Sequence, residues 1–176
     1  EFAELDSTNR YACWHLRELA DGAVIQAGIQ TAGRGRWERK WISDVPGNLC
    51  LSLLLKPAGP PAELPLANLS QLLALSACRV LERYGVPPAL KWPNDIQVSG
   101  RKIAGILAET VVEGGEFLGL VLGLGMNLNL DATIIATVAA MPRPACAPSS
   151  ALMFDNVMRS AIDRAATASP QNSTAW

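Results

Sequence analysis

Between Gln30 and Trp41 the chain sets Arg34, Arg36, Arg39 and Lys40 against a single acid, Glu38, although its fifteen Lys and Arg are otherwise balanced by sixteen Asp and Glu. A local excess of cations in a nearly neutral protein suits an anion held at one place rather than attraction over a whole surface. Gly33 and Gly35 alternate with Arg34 and Arg36. Glycine lets the backbone turn tightly and bring N–H groups near a ligand, and two planar guanidinium forks match phosphate or carboxylate. A solvated basic hairpin loop is the alternative, but Trp37 and Trp41 beside the charges disfavour it, and an indole there suits a purine or another ring system.

A second cluster is Lys91-Trp92-Pro93-Asn94-Asp95, followed closely by Arg101 and Lys102. Pro93 interrupts any strand ladder, so Asn94 and Asp95 are presented from a rigid bend. An ordinary Pro-Asn-Asp turn is the other reading. Lys102 opens an apolar strand, and simple alternation sends its side chain to the face of Ala104 and Ile106, where it either escapes to solvent or meets an anion. Gly119, Gly123 and Gly125 thin a later strand, and the pattern suits either packing or the close approach of a ligand. Beyond them Asn127 and Asn129 alternate with leucine and share a face.

These residues need elements to hold them. Asp6, Ser7 and Thr8 are capping types ahead of Tyr11, Trp14, Leu16 and Leu19, with Gly22 as the stop, so a helix is expected over about 9–20 and its cap lies in the polar cluster Ser7-Thr8-Asn9. Short apolar runs at 23–30 and 48–56 read as buried strands with the glycine–arginine loop between them. From Glu63 the spacing of Leu66, Leu69, Leu73, Val80, Leu81 and Tyr84 is helical until Gly85, Pro87 and Pro88. The runs 90–92, 96–98, 103–112 and 117–130 are separated by Pro93, Ser99-Gly100 and Gly114-Gly115, too tightly for crossover helices, which predicts an antiparallel meander and an α+β fold. Residues 131–150, with Pro142, Pro144 and Pro148, read as a linker, 151–168 as a helix and 170–176 as a frayed end.

A chain of 176 residues has room for one ordinary domain, and with 49% hydrophobic and 18% charged residues it is not of the disordered class. The longest apolar runs fall short of the roughly 20 residues a membrane helix needs. Cys13, Cys50, Cys78 and Cys146 lie far apart with no Cys-x-x-Cys, and His15 is the sole histidine, so reduced thiols in a cytoplasmic protein are expected ahead of a disulfide or metal site. The opening Glu1-Phe2-Ala3-Glu4, without Met or a basic start, reads as neither a signal peptide nor an evident native beginning, and a fragment is expected.

Taken in order, Ser7-Thr8-Asn9, Gln30-Thr31-Ala32-Gly33-Arg34-Gly35-Arg36 with Arg39 and Trp41, Lys91-Trp92-Pro93-Asn94-Asp95, Arg101-Lys102-Ile103-Ala104-Gly105-Ile106-Leu107 and Gly125-Met126-Asn127-Leu128-Asn129 resemble the catalytic domain of the biotin protein ligases, over residues 6–130. The resemblance implies a largely antiparallel or mixed sheet flanked by helices, of the kind shared with class II aminoacyl-tRNA synthetases. It also implies activation of biotin by ATP and Mg²⁺ to biotinyl-5′-AMP, then transfer to a lysine of the biotin carboxyl carrier protein of acetyl-CoA carboxylase.

By the same resemblance Arg34, Arg36 and Lys102 are catalytic, and the biotin site comprises Ser7, Thr8, Asn9, Gln30, Gly33, Arg34, Gly35, Arg36 and Lys102. Within it Ser7, Thr8 and Gln30 line the ureido end, and Arg34 and Lys102 meet the carboxylate. The ATP site takes Arg36, Arg39, Trp41, Lys91, Asp95 and Asn127; Arg36 and Arg39 belong to the phosphate loop, Trp41 and Asn127 to the adenine side, and Lys91 and Asp95 to the nucleotide end or a Mg²⁺ whose ligands are not identified. A homodimer is compatible with the resemblance. No counterpart is expected here of the DNA-binding helix-turn-helix that some members carry or of the family's small C-terminal β domain, so no DNA partner is expected, and the short apolar runs and near-neutral charge give no expectation of a membrane partner. The competing readings are a non-catalytic biotin or biotinyl-adenylate binding remnant, and a lipoyl or octanoyl transferase, which shares the fold but lacks the Gly-Arg-Gly-Arg pair.

Overall fold

The computed structural model describes residues 1–43, 46–57 and 66–128; the expected linker, the C-terminal helix and frayed end, Asn129, Cys146 and the start of the helix predicted from Glu63 lie outside the described residues. Among the described residues seven strands, β1 (Phe2–Leu5), β2 (Val24–Gln30), β3 (Leu49–Leu55), β4 (Pro88–Lys91), β5 (Asp95–Val98), β6 (Arg101–Glu113) and β7 (Glu116–Met126), form one sheet in the order β1-β2-β3-β7-β6-β5-β4. All neighbours are antiparallel except β1 with β2. The meander from β4 to β7 turns on Ser99-Gly100 and Gly114-Gly115, all four at positive φ, which is the geometry that matches tight hairpins to the twist of their strands.

The helices α1 (Thr8–Trp14) and α2 (Leu66–Arg83) cover opposite faces. Alternation along β3 explains why: Leu49, Leu51 and Leu53 join Leu73, Ala77, Val80 and Leu81 of α2 in the larger core, while Leu54 joins Ala12 and Leu16 of the α1 side in the smaller. Only part of the second face is apolar. Near the other ends of β3, β6 and β7 it carries Ser52, Gly105, Gly123 and Gly125, and there the sheet is open to a cavity.

Three expectations change. The first helix ends at Trp14 rather than near residue 20, because its C-cap His15 leaves helical geometry and the chain continues in turns whose Glu18 and Leu19 N–H groups both return to the His15 carbonyl; this swings Leu16 down into the core. β1 has no counterpart in the sequence reading: its four residues carry too little pattern, and they are ordered by pairing in parallel with β2. Lastly, Lys102 is not on the face of Ala104 and Ile106. A bulge makes Ile96 pair with Ala104 but Gln97 pair with Lys102, so Ile103 is an extra residue; it is buried beside Ala104 in the α2 core while Lys102 turns to the cavity face.

Candidate active site

The cavity measures about 330 Å³ and brings together Ser7, Thr8 and Asn9, the arginine loop, Asn94, Asp95, Lys102 and the glycines Gly105, Gly123 and Gly125 of β6 and β7. That volume lies at the small end of the usual range for ligand pockets, about 300–1,000 Å³. The floor is backbone. A Cβ on Gly123 would land on the Asn9 amide and one on Gly125 on the Trp41 indole, so these strands bear glycine because side chains from α1 and the arginine loop lie directly on them.

The inner end is neutral and polar. Ser7 caps α1, its side chain accepting from the Arg10 N–H at 3.4 Å, which places Thr8 and Asn9 at the helix start, both buried. Gln30 Oε1 accepts from the Thr8 N–H at 2.8 Å and the Thr8 hydroxyl at 3.1 Å, leaving its NH₂ turned toward Gly33. Ser52 Oγ stands 2.8 Å from Thr8 Oγ1 and donates to Asn9 Oδ1 at 2.5 Å. Amides and hydroxyls buried in this way suit a ligand that both donates and accepts hydrogen bonds without charge.

The mouth is cationic. The arginine loop folds back on itself through Trp41 N–H to the Gly33 carbonyl at 2.9 Å and Gly35 N–H to the Arg39 carbonyl at 2.7 Å. A Cβ on Gly33 would overlap the Trp41 carbonyl, so Gly33 is required by this crossing. Trp37 is 81% exposed with φ +59°, a strained conformation for a bulky residue, and its ring lies 5.6 Å from the Arg36 guanidinium. Arg36 donates to Asn94 Oδ1 at 3.2 Å, and Asn94 is anchored to Ile106 by both its side-chain NH₂ and its backbone carbonyl, each at 2.9 Å. Lys102 reaches Asp95 at 2.8 Å and stands 5.7 Å from the Trp41 ring. Trp41 Nε1 is buried with no hydrogen-bond partner among the described residues. Arg34 pairs with Glu109 at 2.8 Å.

Of the expected site residues, Ser7, Thr8, Asn9, Gln30, Arg34, Gly35, Arg36, Arg39, Trp41, Asp95 and Lys102 line this cavity. Gly33, with Arg34, Arg36, Arg39 and Trp41, lines an adjoining hollow of about 660 Å³ on the other side of the loop. Lys91 and Asn127 are not brought in: Lys91 lines an apolar groove between α2 and β4, and Asn127 sits past the end of β7 with its N–H on the Ile103 carbonyl at 2.7 Å. The structure adds Ser52, Asn94 and Glu109. Glu109 had a signal in the sequence, being the acid within the apolar run 103–112 and on the face of Gly105 and Leu107 by simple alternation.

A model of the biotin/lipoate A/B protein ligase family matches residues 1–127. The chain is 38% identical over 121 residues to the bifunctional ligase/repressor BirA of Escherichia coli, covering 68% of this chain and 37% of that protein. It is 39% identical over 115 residues to a biotin–[acetyl-CoA-carboxylase] ligase of Paracoccus denitrificans, covering 64% and 47%. The chain therefore spans less than half the length of these relatives. Among solved structures, the biotin protein ligase of Aquifex aeolicus in complex with biotin and ATP matches with a TM-score of 0.64 and 26% identity, over 95% of this chain and 68% of that one. The biotin acetyl coenzyme A carboxylase synthetase of Helicobacter pylori with bound biotinylated ATP matches at 0.63 and 27%, over 93% and 72%.

Proposed function

The chain belongs to the biotin/lipoate A/B protein ligase family, and we propose that within it this protein is a biotin ligase, which forms biotinyl-5′-AMP from biotin and ATP and passes the biotinyl group to a lysine of a biotin carboxyl carrier protein. The observation that carries this reading is the polarity of one cavity: neutral buried amides and hydroxyls at its inner end, the cations Arg34, Arg36, Arg39, Lys40 and Lys102 at its mouth and a floor of glycines between. Biotin has the matching sequence of parts, an uncharged ureido ring, an aliphatic chain and a carboxylate. A lipoyl or octanoyl chain has no uncharged hydrogen-bonding ring to set against the polar wall of Thr8, Asn9 and Gln30.

In the first step a carboxylate oxygen of biotin attacks the α-phosphorus, a P–O bond forms and pyrophosphate leaves. Two anions meet, and Arg34 and Lys102 on the carboxylate with Arg36 and Arg39 on the phosphate offset their repulsion and stabilise the charge of the transition state. The nucleotide extends into the adjoining hollow along the arginine loop, where Trp37, Arg39, Lys40 and Trp41 are available to it. Among the described residues no three His, Cys, Asp or Glu side chains converge on a metal site, and Asp95 is the carboxylate that lines the cavity. A Mg²⁺ entering with ATP would find Asp95, now paired with Lys102, as the carboxylate to hold it, and would supply positive charge against the triphosphate. In the second step the lysine amine attacks the acyl carbonyl, an amide forms, AMP leaves and the amine gives up a proton. No helix among the described residues is long and apolar enough to cross a membrane, and the cysteines described are free thiols, in keeping with a cytoplasmic protein.

Pyrophosphate release is expected only when biotin, ATP and Mg²⁺ are all present; release that ignores biotin would overturn the assignment. Labelled biotin passing to a carrier domain only with ATP separates the ligase from a module that merely binds biotin.

A further inference from the structure

Glu109 does not line the cavity, yet the walls at its inner end and at its mouth both close on it. Its Oε1 takes the Arg34 guanidinium at 2.8 Å and its Oε2 accepts from the Asn9 NH₂ at 2.8 Å. The Glu109 side chain is 21% exposed and that of Arg34 46%, so the carboxylate is the more sheltered partner of a pair that still meets solvent at the arginine. A carboxylate and a carbonyl can only accept, so Glu109 and Leu107 together settle which way the Asn9 amide points: nitrogen to Glu109 and to the Leu107 carbonyl at 3.3 Å, oxygen to Ser52. Ser52 has one hydroxyl proton, and the Asn9 oxygen, which cannot donate, claims it. Thr8 then meets Ser52 and Gln30 with its own proton alone. The direction of the hydrogen bonds along the neutral wall therefore follows from the acceptors behind it, of which Glu109 makes the shorter bond to Asn9, and the Glu109 charge also holds the arginine of the mouth.

We infer that Glu109 is a positioning residue that sets, through Asn9 and Arg34 together, the recognition of a neutral hydrogen-bonding head and an anionic tail on one ligand. This rests on the reading of the site as one for biotin. Glu109→Gln tests it without changing side-chain volume, because a glutamine has a single oxygen to offer Asn9 or Arg34 and must turn an NH₂ against the other donor.

Calorimetry on the full chain should find biotin affinity reduced about tenfold or more in E109Q, with ATP affinity close to the parent and the fold intact by circular dichroism. In an Asn9→Ala background the lone glutamine oxygen is free for Arg34, so the same substitution should cost less than about threefold; such non-additivity is expected of residues that act through one another and not of independent ones. An equal loss in both backgrounds, no loss in the parent, or tighter binding by E109Q, which would make Glu109 a competitor of the ligand for Arg34, overturns the inference. Should E109Q fail to fold, Glu109→Asp, which draws the carboxylate back by one methylene, must weaken biotin in the same way, and parent-like affinity would overturn it. If the parent chain itself binds no biotin, the functional reading falls and takes the inference with it, whereas parent binding with an indifferent E109Q removes the inference alone.

Discussion

Lys102 shows what one residue owes to its surroundings. Its ammonium is held between the Asp95 carboxylate at 2.8 Å and the Trp41 ring at 5.7 Å, and its stem passes over Gly105, where a Cβ would come within 3.2 Å of the nitrogen. Lys102→Ala is expected to weaken biotin binding by one to two decades, from the roughly 1.5–3 kcal/mol of a hydrogen bond to a charged group, and to slow adenylate formation while ATP binding stays near the parent. Lys102→Arg keeps the charge and should lose less. Calorimetry of biotin on both variants checks this, and unchanged affinity in the alanine variant would return Lys102 to a surface role. The arginines of the cavity were legible in the sequence because Gly-Arg-Gly-Arg concentrates charge and turn-forming residues in few positions, whereas Lys91 of Lys-Trp-Pro-Asn-Asp lies outside the cavity. The face of Lys102 was not, since one inserted residue at a bulge inverts every later alternation and leaves no mark in composition.

Among elements, β7 has the narrowest tolerance. Gly123 pairs with Ser52 on one side and Leu107 on the other, at the centre of the sheet, and a methyl group there would overlap an Asn9 side chain that Ser52, Leu107 and Glu109 hold in place. Gly123→Ala is therefore expected to abolish measurable biotin binding and to destabilise the fold by about 1–3 kcal/mol, the usual penalty for overpacking, read as a lower melting temperature. Parent-like binding would mean that Asn9 yields without consequence. The meander and α2 were readable because hairpin glycines and a long helical period are strong local signals. β1 and the early end of α1 were not. Phe2–Leu5 becomes a strand only by pairing with β2, and α1 stops at Trp14 because Leu16 is needed in the core beneath it. Both are decided by tertiary contacts that local propensity does not carry.

At the scale of the whole molecule, the thiols report on the packing of both faces of the sheet. Cys78 belongs to the α2 core and Cys13 packs against the α1 core, and burial raises each from 9.0 to about 11, with Glu109 adding to the effect at Cys13 and Glu82 at Cys78. Burial raises Cys50 as well, while hydrogen bonds from Ser43 and its neighbours oppose the rise. A thiol whose folded pKa exceeds its unfolded one keeps its proton longer in the native state, so between those values the unfolded chain binds fewer protons and stability falls as pH rises. The contribution is fully present below pH 9 and is lost progressively toward pH 11. Urea midpoints measured at intervals from pH 8 to 11 should therefore decline across this window. Lysines and tyrosines titrate there too, so the informative quantity is the slope in Cys78→Ala set against the parent: removing one buried thiol should flatten the decline even though the cavity it leaves lowers stability at every pH. Parallel curves would place the Cys78 thiol in water-like surroundings and contradict its seat in the core.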